Sequence, residues 1–400
     1  MKKLNLLTAL LLSSIPLLGM DDINSFVKKA YEKNYELKSL QASLDVAKQQ
    51  ISVASNLKNP TLTFGATDIW LSDIGKRDKE PMQAYYLGLS QIFPLTNKLD
   101  TKTNIAKNDL MISKYKLEDK KLEFKSQITL FLYNIALLQE RIILYTKIEK
   151  NLKTLEDLLT ELFKYNKVSQ TKILNVQVLQ NDIKIKKIEL YNLLQTQTLK
   201  LEKITYSKYE SANISLDFEQ KNNHIDFSNH PKLKNLKEMI KKFNNIAKLE
   251  KQKKNSDLKV SLTYFKRDSK YEDYVNLGFA MPLSVYKTED INSRKAKFKT
   301  IELKNSLKDL ESNFSNKIKI LNTNINSSQK TYKLIKNKVL PKLNELQKTL
   351  ENYNSFSKVD SSALIKNLNE IIKYELKALK EKEKYFTSVA KLQYFIKENR

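Results

Sequence analysis

Two histidines are the only side chains in this 400-residue sequence whose ordinary pKa lies near neutrality, and both fall in one polar stretch. His224 and His230 stand 6 positions apart. The chain has no cysteine, so disulfides and thiolate metal sites are excluded, and the histidine spacing fits no metal site. Solvated loop residues are expected there. The serines and the two histidines form no recognisable nucleophilic motif, so no triad is expected. A phosphate-binding loop needs clustered glycines before a helix, and the helical stretches have almost none. No catalytic, cofactor-binding or metal-binding residue is expected, and the chain reads as a non-enzyme.

The elements explain where function would lie instead. Glycine and proline punctuate a chain, and here they number only 5 and 7. Beyond residue 20 the glycines are Gly65, Gly75, Gly88 and Gly278, all within two stretches, 60–95 and 256–283. Pro60, Pro81, Pro94 and Pro282 lie there too. Both stretches read as β-hairpins. Thr61 to Ala66 alternates polar or small residues with apolar ones, and Tyr85 to Phe93 puts Leu87, Leu89 and Phe93 on one face. In the second stretch Leu258, Val260, Leu262 and Tyr264 alternate, then Val275, Leu277, Phe279 and Met281.

Helices are expected elsewhere. One runs from about Asp21 to Leu57, and a much longer one over 97–164. Phe124, Ile128, Phe131, Ile135, Leu138, Ile142, Tyr145, Ile148, Leu152, Leu155, Leu159 and Leu162 form a coiled-coil stripe at steps of three and four. Such a helix is roughly 100 Å long and needs partner helices beside it. A break at Tyr165 to Gln170 precedes a returning helix to Thr205. After a polar connector, 207–230, the plan repeats: a helix after Pro231, the hairpin, a long helix over 288–354, a break at 355–361 and a last helix to Arg400. Asn59 matches Asn255 at an offset of 196, Pro94 matches Pro282 at 188, and Lys167 matches Lys358 at 191. A duplication is expected, with repeats over 21–206 and 231–400.

The formal charge is +26. Lysines are interspersed with Glu and Asp, without a nucleic-acid motif, so solvated helix faces are expected and no nucleic-acid partner. Residues 1–20 read as a secretory signal peptide, with Lys2 and Lys3 before the apolar run Leu6 to Leu18. No later run approaches the ~20 consecutive apolar residues of a spanning helix. An exported chain of this kind would enter a membrane only through strands closed into a barrel.

In order and content these features resemble the TolC family of outer-membrane efflux proteins, over nearly all of the mature chain. Asn59-Pro60-Thr61-Leu62, Leu89-Ser90-Gln91-Ile92-Phe93-Pro94-Leu95 and Val339-Leu340-Pro341-Lys342-Leu343-Asn344-Glu345 are similar to the family's local signatures. The resemblance implies a mainly α fold with a small β part. It implies a homotrimer whose strands share a 12-stranded outer-membrane barrel continued by a periplasmic α-helical barrel. Four strands cannot close alone, and oligomerisation removes the edges that lipid forbids. The lipid-facing candidates are Leu62, Phe64, Leu87, Leu89, Val260, Leu262, Leu277 and Phe279. Trp70, Tyr85 and Tyr274 sit near strand ends as an aromatic belt or, alternatively, as ordinary interface packing.

The family's helical tips dock on a periplasmic adaptor that joins an inner-membrane transporter. The matching positions are Tyr165, Asn166, Lys167 and Val168, and Phe356, Ser357, Lys358 and Val359. The family often has Gly where Lys167 and Lys358 stand. Its acidic tunnel rings have no counterpart in Ser361 to Asn367; the nearest carboxylate is Asp360. The expected function is a passive channel of a tripartite efflux pump or type I secretion system, in a Gram-negative outer membrane. The rival is an exported coiled-coil structural or adhesion protein, which explains the heptads but not the two hairpins. An adaptor reading fails on the low glycine content.

Overall fold

The computed structural model describes residues 23–212, 214–218, 225–353 and 361–396. The signal-peptide segment 1–20, His224 and the second tip's Phe356, Ser357, Lys358 and Val359 lie outside these residues. The elements are α1 (Ile23–Lys33), α2 (Tyr35–Ser55), β1 (Thr61–Thr67), β2 (Ala84–Phe93), α3 (Lys98–Lys164) and α4 (Gln170–Thr205). There follow α5 (Pro231–Gln252), β3 (Leu258–Arg267), β4 (Tyr274–Ala280), α6 (Thr288–Leu334), α7 (Leu340–Tyr353) and α8 (Ser361–Leu392).

The chain forms two compact units, each drawn from both sequence repeats. One comprises Met1–Asn34, Glu123–His224 and Lys319–Tyr394. Its core is a heptad seam. Tyr145, Leu152 and Leu159 of α3 recur every seven residues, as do Val176, Ile183 and Leu190 of α4, and all six are buried in one cluster. Leu364 of α8 is buried, and Ile365, Leu368, Ile372 and Leu376 pack on that cluster. The expected stripe omitted Leu132 and Tyr133, both buried. Tyr133 lies 4.8 Å from Phe386 of α8, a partner no local periodicity announces. α3 also contains a stretch long and apolar enough by composition to cross a membrane, contrary to expectation. Ile128, Leu132 and Ile135 of the same helix are buried within the protein.

Two helices expected to be continuous are interrupted. The first breaks at Asn34, which is buried and whose side chain donates to the Ile204 carbonyl at 3.0 Å. The long second-repeat helix becomes a π-helical turn over Ile335–Val339 before α7. Pro341 has no N–H, and its ring would collide with the carbonyl four residues back. The backbone widens ahead of it, where the Leu340 N–H bonds to the Ile335 carbonyl five residues back. Ile335 and Leu340 are both buried with Ala378 of α8, so the wider turn keeps two apolar side chains on one face.

The other unit comprises Tyr35–Leu122, Ile225–Ile318 and Phe395–Arg400. It holds the sheet, with order β1-β2-β3-β4 and every pair antiparallel. The central pair, β2 with β3, joins strands from different repeats. Lys98 at the start of α3 is nearly buried, pairs with Asp257 at 2.6 Å and also donates to the Asn255 carbonyl. His230 is not solvated, as expected, but 1% exposed. It caps α5, its Nδ1 accepting from the Lys232 N–H at 3.2 Å, and lies edge-on to Phe314 at 4.9 Å. Burial beside aromatic rings and the cap account for its place before Pro231.

Candidate functional site

Successive strand residues point to opposite faces, so the register assigns each side chain to a face. On one face Leu62, Leu89, Leu262 and Leu277 form a single row across all four strands. The next row is Phe64, Leu87, Tyr264 and Val275, and Val260 stands opposite Phe279. All eight residues expected to face lipid therefore share one face, and seven of them are more than half exposed. Monomeric soluble proteins rarely expose a contiguous apolar patch beyond a few hundred Å².

The opposite face is built differently. Its rows are Thr61, Ser90, Ser261 and Gly278; Thr63, Gly88, Thr263 and Asn276; and Gly65, Tyr86, Phe265 and Tyr274. Tyr274 thus does not join Tyr85 on the apolar face. The alternation along β4 commits Val275, Leu277 and Phe279 to that face and turns Tyr274 to the other, where it stacks on Phe265 at 4.7 Å and 7°. Tyr85 stays on the apolar face with the Arg77 guanidinium 4.2 Å above its ring. Trp70 belongs to the loop 68–83, half exposed, with Lys79 Nζ 5.5 Å from its ring. Gln83, absent from the expected residues, organises that loop. It is buried, accepts from the Lys79 and Glu80 N–H groups and donates to the Asp68 carbonyl.

At the first tip α3 ends in a left-handed turn. Asn166 has φ 55°, its N–H bonds to the Phe163 carbonyl at 2.9 Å, and the Lys167 N–H reaches the Leu162 carbonyl at 3.0 Å. That is a Schellman arrangement, with Asn in the left-handed position that Gly commonly fills. The glycine-favouring position is therefore Asn166, and Lys167 needs no special backbone. Tyr165, Asn166 and Lys167 are exposed, whereas Val168 packs against the heptad core. Further along the same hairpin Glu156 accepts from Gln177 at 2.8 Å and Gln180 at 3.1 Å on α4, and pairs with Lys153. These bonds, led by Gln177, hold its carboxyl at about 2.

Among the described residues no group of three His, Cys, Asp or Glu side chains is placed to hold a metal ion. No protein-family model matches the sequence, and no curated protein matches it. Solved structures do. The CmeC outer membrane channel of Campylobacter jejuni is 14% identical, with a TM-score of 0.72 over 94% of this chain and 86% of that one. A membrane protein from Pseudomonas aeruginosa is 10% identical, with a TM-score of 0.78 over 94% and 93%. The open state of the MtrE outer membrane channel of Neisseria gonorrhoeae is 13% identical, with a TM-score of 0.75 over 93% and 88%. Sequence identity this low carries the fold and nothing finer: the chain has the fold of these outer-membrane channels.

Proposed function

We propose that this chain is one third of an outer-membrane export channel, a passive duct that performs no catalysis. The observation that carries this reading is the sheet. It has one face of exposed leucine, phenylalanine and valine rows, an opposite face made mostly of small residues with one aromatic row, and two edges at β1 and β4. Lipid leaves no backbone group without a partner, so such a sheet spans a bilayer only when its edges close. Three chains would supply the strands of a 12-stranded barrel, with the helices continuing it as a periplasmic tunnel. The central strands, at 10 residues each, suit a tilted transmembrane strand of about 9–11. Leu62, Phe64, Leu87, Leu89, Val260, Leu262, Leu277 and Phe279 would then meet lipid.

In this reading the tips serve as the docking surface for a periplasmic adaptor that connects an inner-membrane transporter, in an efflux pump or a type I secretion system. Energy would come from that transporter, and cargo choice would lie largely with it. Trimer mass in detergent together with stepwise conductance in planar bilayers is expected. A monomeric, non-conducting protein would instead support the coiled-coil structural role. For the tips, Lys167→Glu and Lys358→Glu are expected to weaken adaptor binding more than Lys304→Glu on the exposed surface of α6. Equal effects of the three changes would remove the tip assignment.

A further inference from the structure

The face opposite the leucine rows is not uniform. Most of its positions are Thr, Ser, Gly, Asn or Ala, but one row gathers Tyr86, Phe265 and Tyr274. The rings form a continuous array: Tyr86 lies 5.8 Å from Phe265, and Phe265 stacks on Tyr274 at 4.7 Å. Tyr86 also reaches across Gly65, where an added Cβ would come within 2.6 Å of its hydroxyl oxygen. The row thus extends over all four strands. Two charged side chains share this face by register, Arg267 beyond the aromatic row and Lys259 at the far end of β3, and none of its strand positions is Asp or Glu.

The Arg267 guanidinium stands 5.3 Å from the Tyr274 ring and 5.6 Å from that of Tyr271, and it donates to the Glu272 and Pro81 carbonyls. The Asp273 carboxylate accepts from the Arg267 backbone N–H and the Tyr264 hydroxyl and pairs with Lys266; Tyr264 and Lys266 both belong to the apolar face by register. Positive charge therefore sits beside an aromatic surface that is not neutralised by a carboxylate on the same face. Rings of charged side chains select ions in pores, and π faces hold planar solutes.

We propose that this row, with Arg267 beside it, is a binding ring for aromatic anions in the strand-lined part of the duct, and that Lys259 at the other end of β3 adds to its anion selectivity. The proposal rests on the channel reading, which puts this face in the lumen. The test uses the unaltered trimer in planar bilayers, comparing current block by 2-naphthalenesulfonate and by propanesulfonate, which carry the same charge. The aromatic anion is expected to block at a concentration roughly tenfold lower. Phe265→Ser with Tyr274→Ser should erase that gap, and Phe265→Tyr should keep it. Lys259→Gln with Arg267→Gln should shift the reversal potential in a KCl gradient toward potassium. Equal block by the two sulfonates in the unaltered protein would overturn the proposal, as would an unmoved reversal potential. A complete lack of conductance would instead overturn the channel reading beneath it.

Discussion

The two helical hairpins are built differently. In the first, α3 runs 67 residues without interruption, and α4 lies against it through strict heptads. In the second, the ascending path is divided into α6, a five-residue π turn and α7. The cross-helix links differ in kind as well. The first hairpin uses the ionised Glu156 against Gln177 and Gln180. The second uses the neutral Asn367, which donates to the Leu343 carbonyl and to Gln347. The second hairpin therefore absorbs a proline, and the extra residue of the π turn keeps Ile335 and Leu340 together on its apolar face.

The largest effect should come from breaking the phase of the uninterrupted helix. Deleting the exposed Lys147 turns all later residues by about 100° and takes Leu152 and Leu159 off the seam. Each buried leucine lost costs roughly 2–5 kcal/mol, so cooperative unfolding followed by circular dichroism should disappear. In the second hairpin, deleting Lys338 together with Pro341→Ala should turn the π turn into regular helix. Its melting temperature is expected to stay within a few degrees of the parent. A comparable collapse there would mean that the π turn does not absorb the register.

The next effect tests where the repeats are joined. Lys98 of the first repeat pairs with Asp257 of the second, and its side chain is nearly buried. Lys98→Ala should cost about 1.5–3 kcal/mol, because it removes a nearly buried ammonium bonded to both the Asp257 carboxylate and the Asn255 carbonyl. The exposed pair of Lys254 and Asp290 belongs to the second repeat alone, and its loss should cost about 0–1 kcal/mol. Denaturant titration of both variants measures the contrast.

Acid should separate the hairpins more gently. The carboxyl of Glu156 is held at about 2, below its ordinary 4.5. Its contribution is fully present above its unfolded value and is lost as pH falls from there toward about 2. Asn367 does not titrate. Hydrogen exchange read by segment should show the α3–α4 hairpin loosening in that window ahead of α7–α8, and Glu156→Gln should remove the difference. The smallest effect on stability is expected at the exposed tip: Tyr165→Ala should change it by less than about 0.5 kcal/mol. Any loss of adaptor binding in that variant would then report the surface rather than the fold.

Much of this architecture is legible in the residues themselves. Alternation in 60–95 and 256–283 located all four strands, and the stripe at steps of three and four marked the α3 side of the seam, because both patterns depend on near neighbours along the chain. The sharing of one face by the eight apolar strand residues also follows from that alternation once the strands pair. The turn at Asn166 was visible as a break, though not as a left-handed cap.

What only the tertiary structure decided are the meetings of distant segments. The pairing of β2 with β3 lines up Leu89 with Leu262, 173 positions apart, and no local period encodes it. The burial of His230 depends on Phe314, and the break at Asn34 on Ile204. In each case the local sequence left two arrangements open. The choice between them was made by contacts whose partners lie elsewhere in the chain.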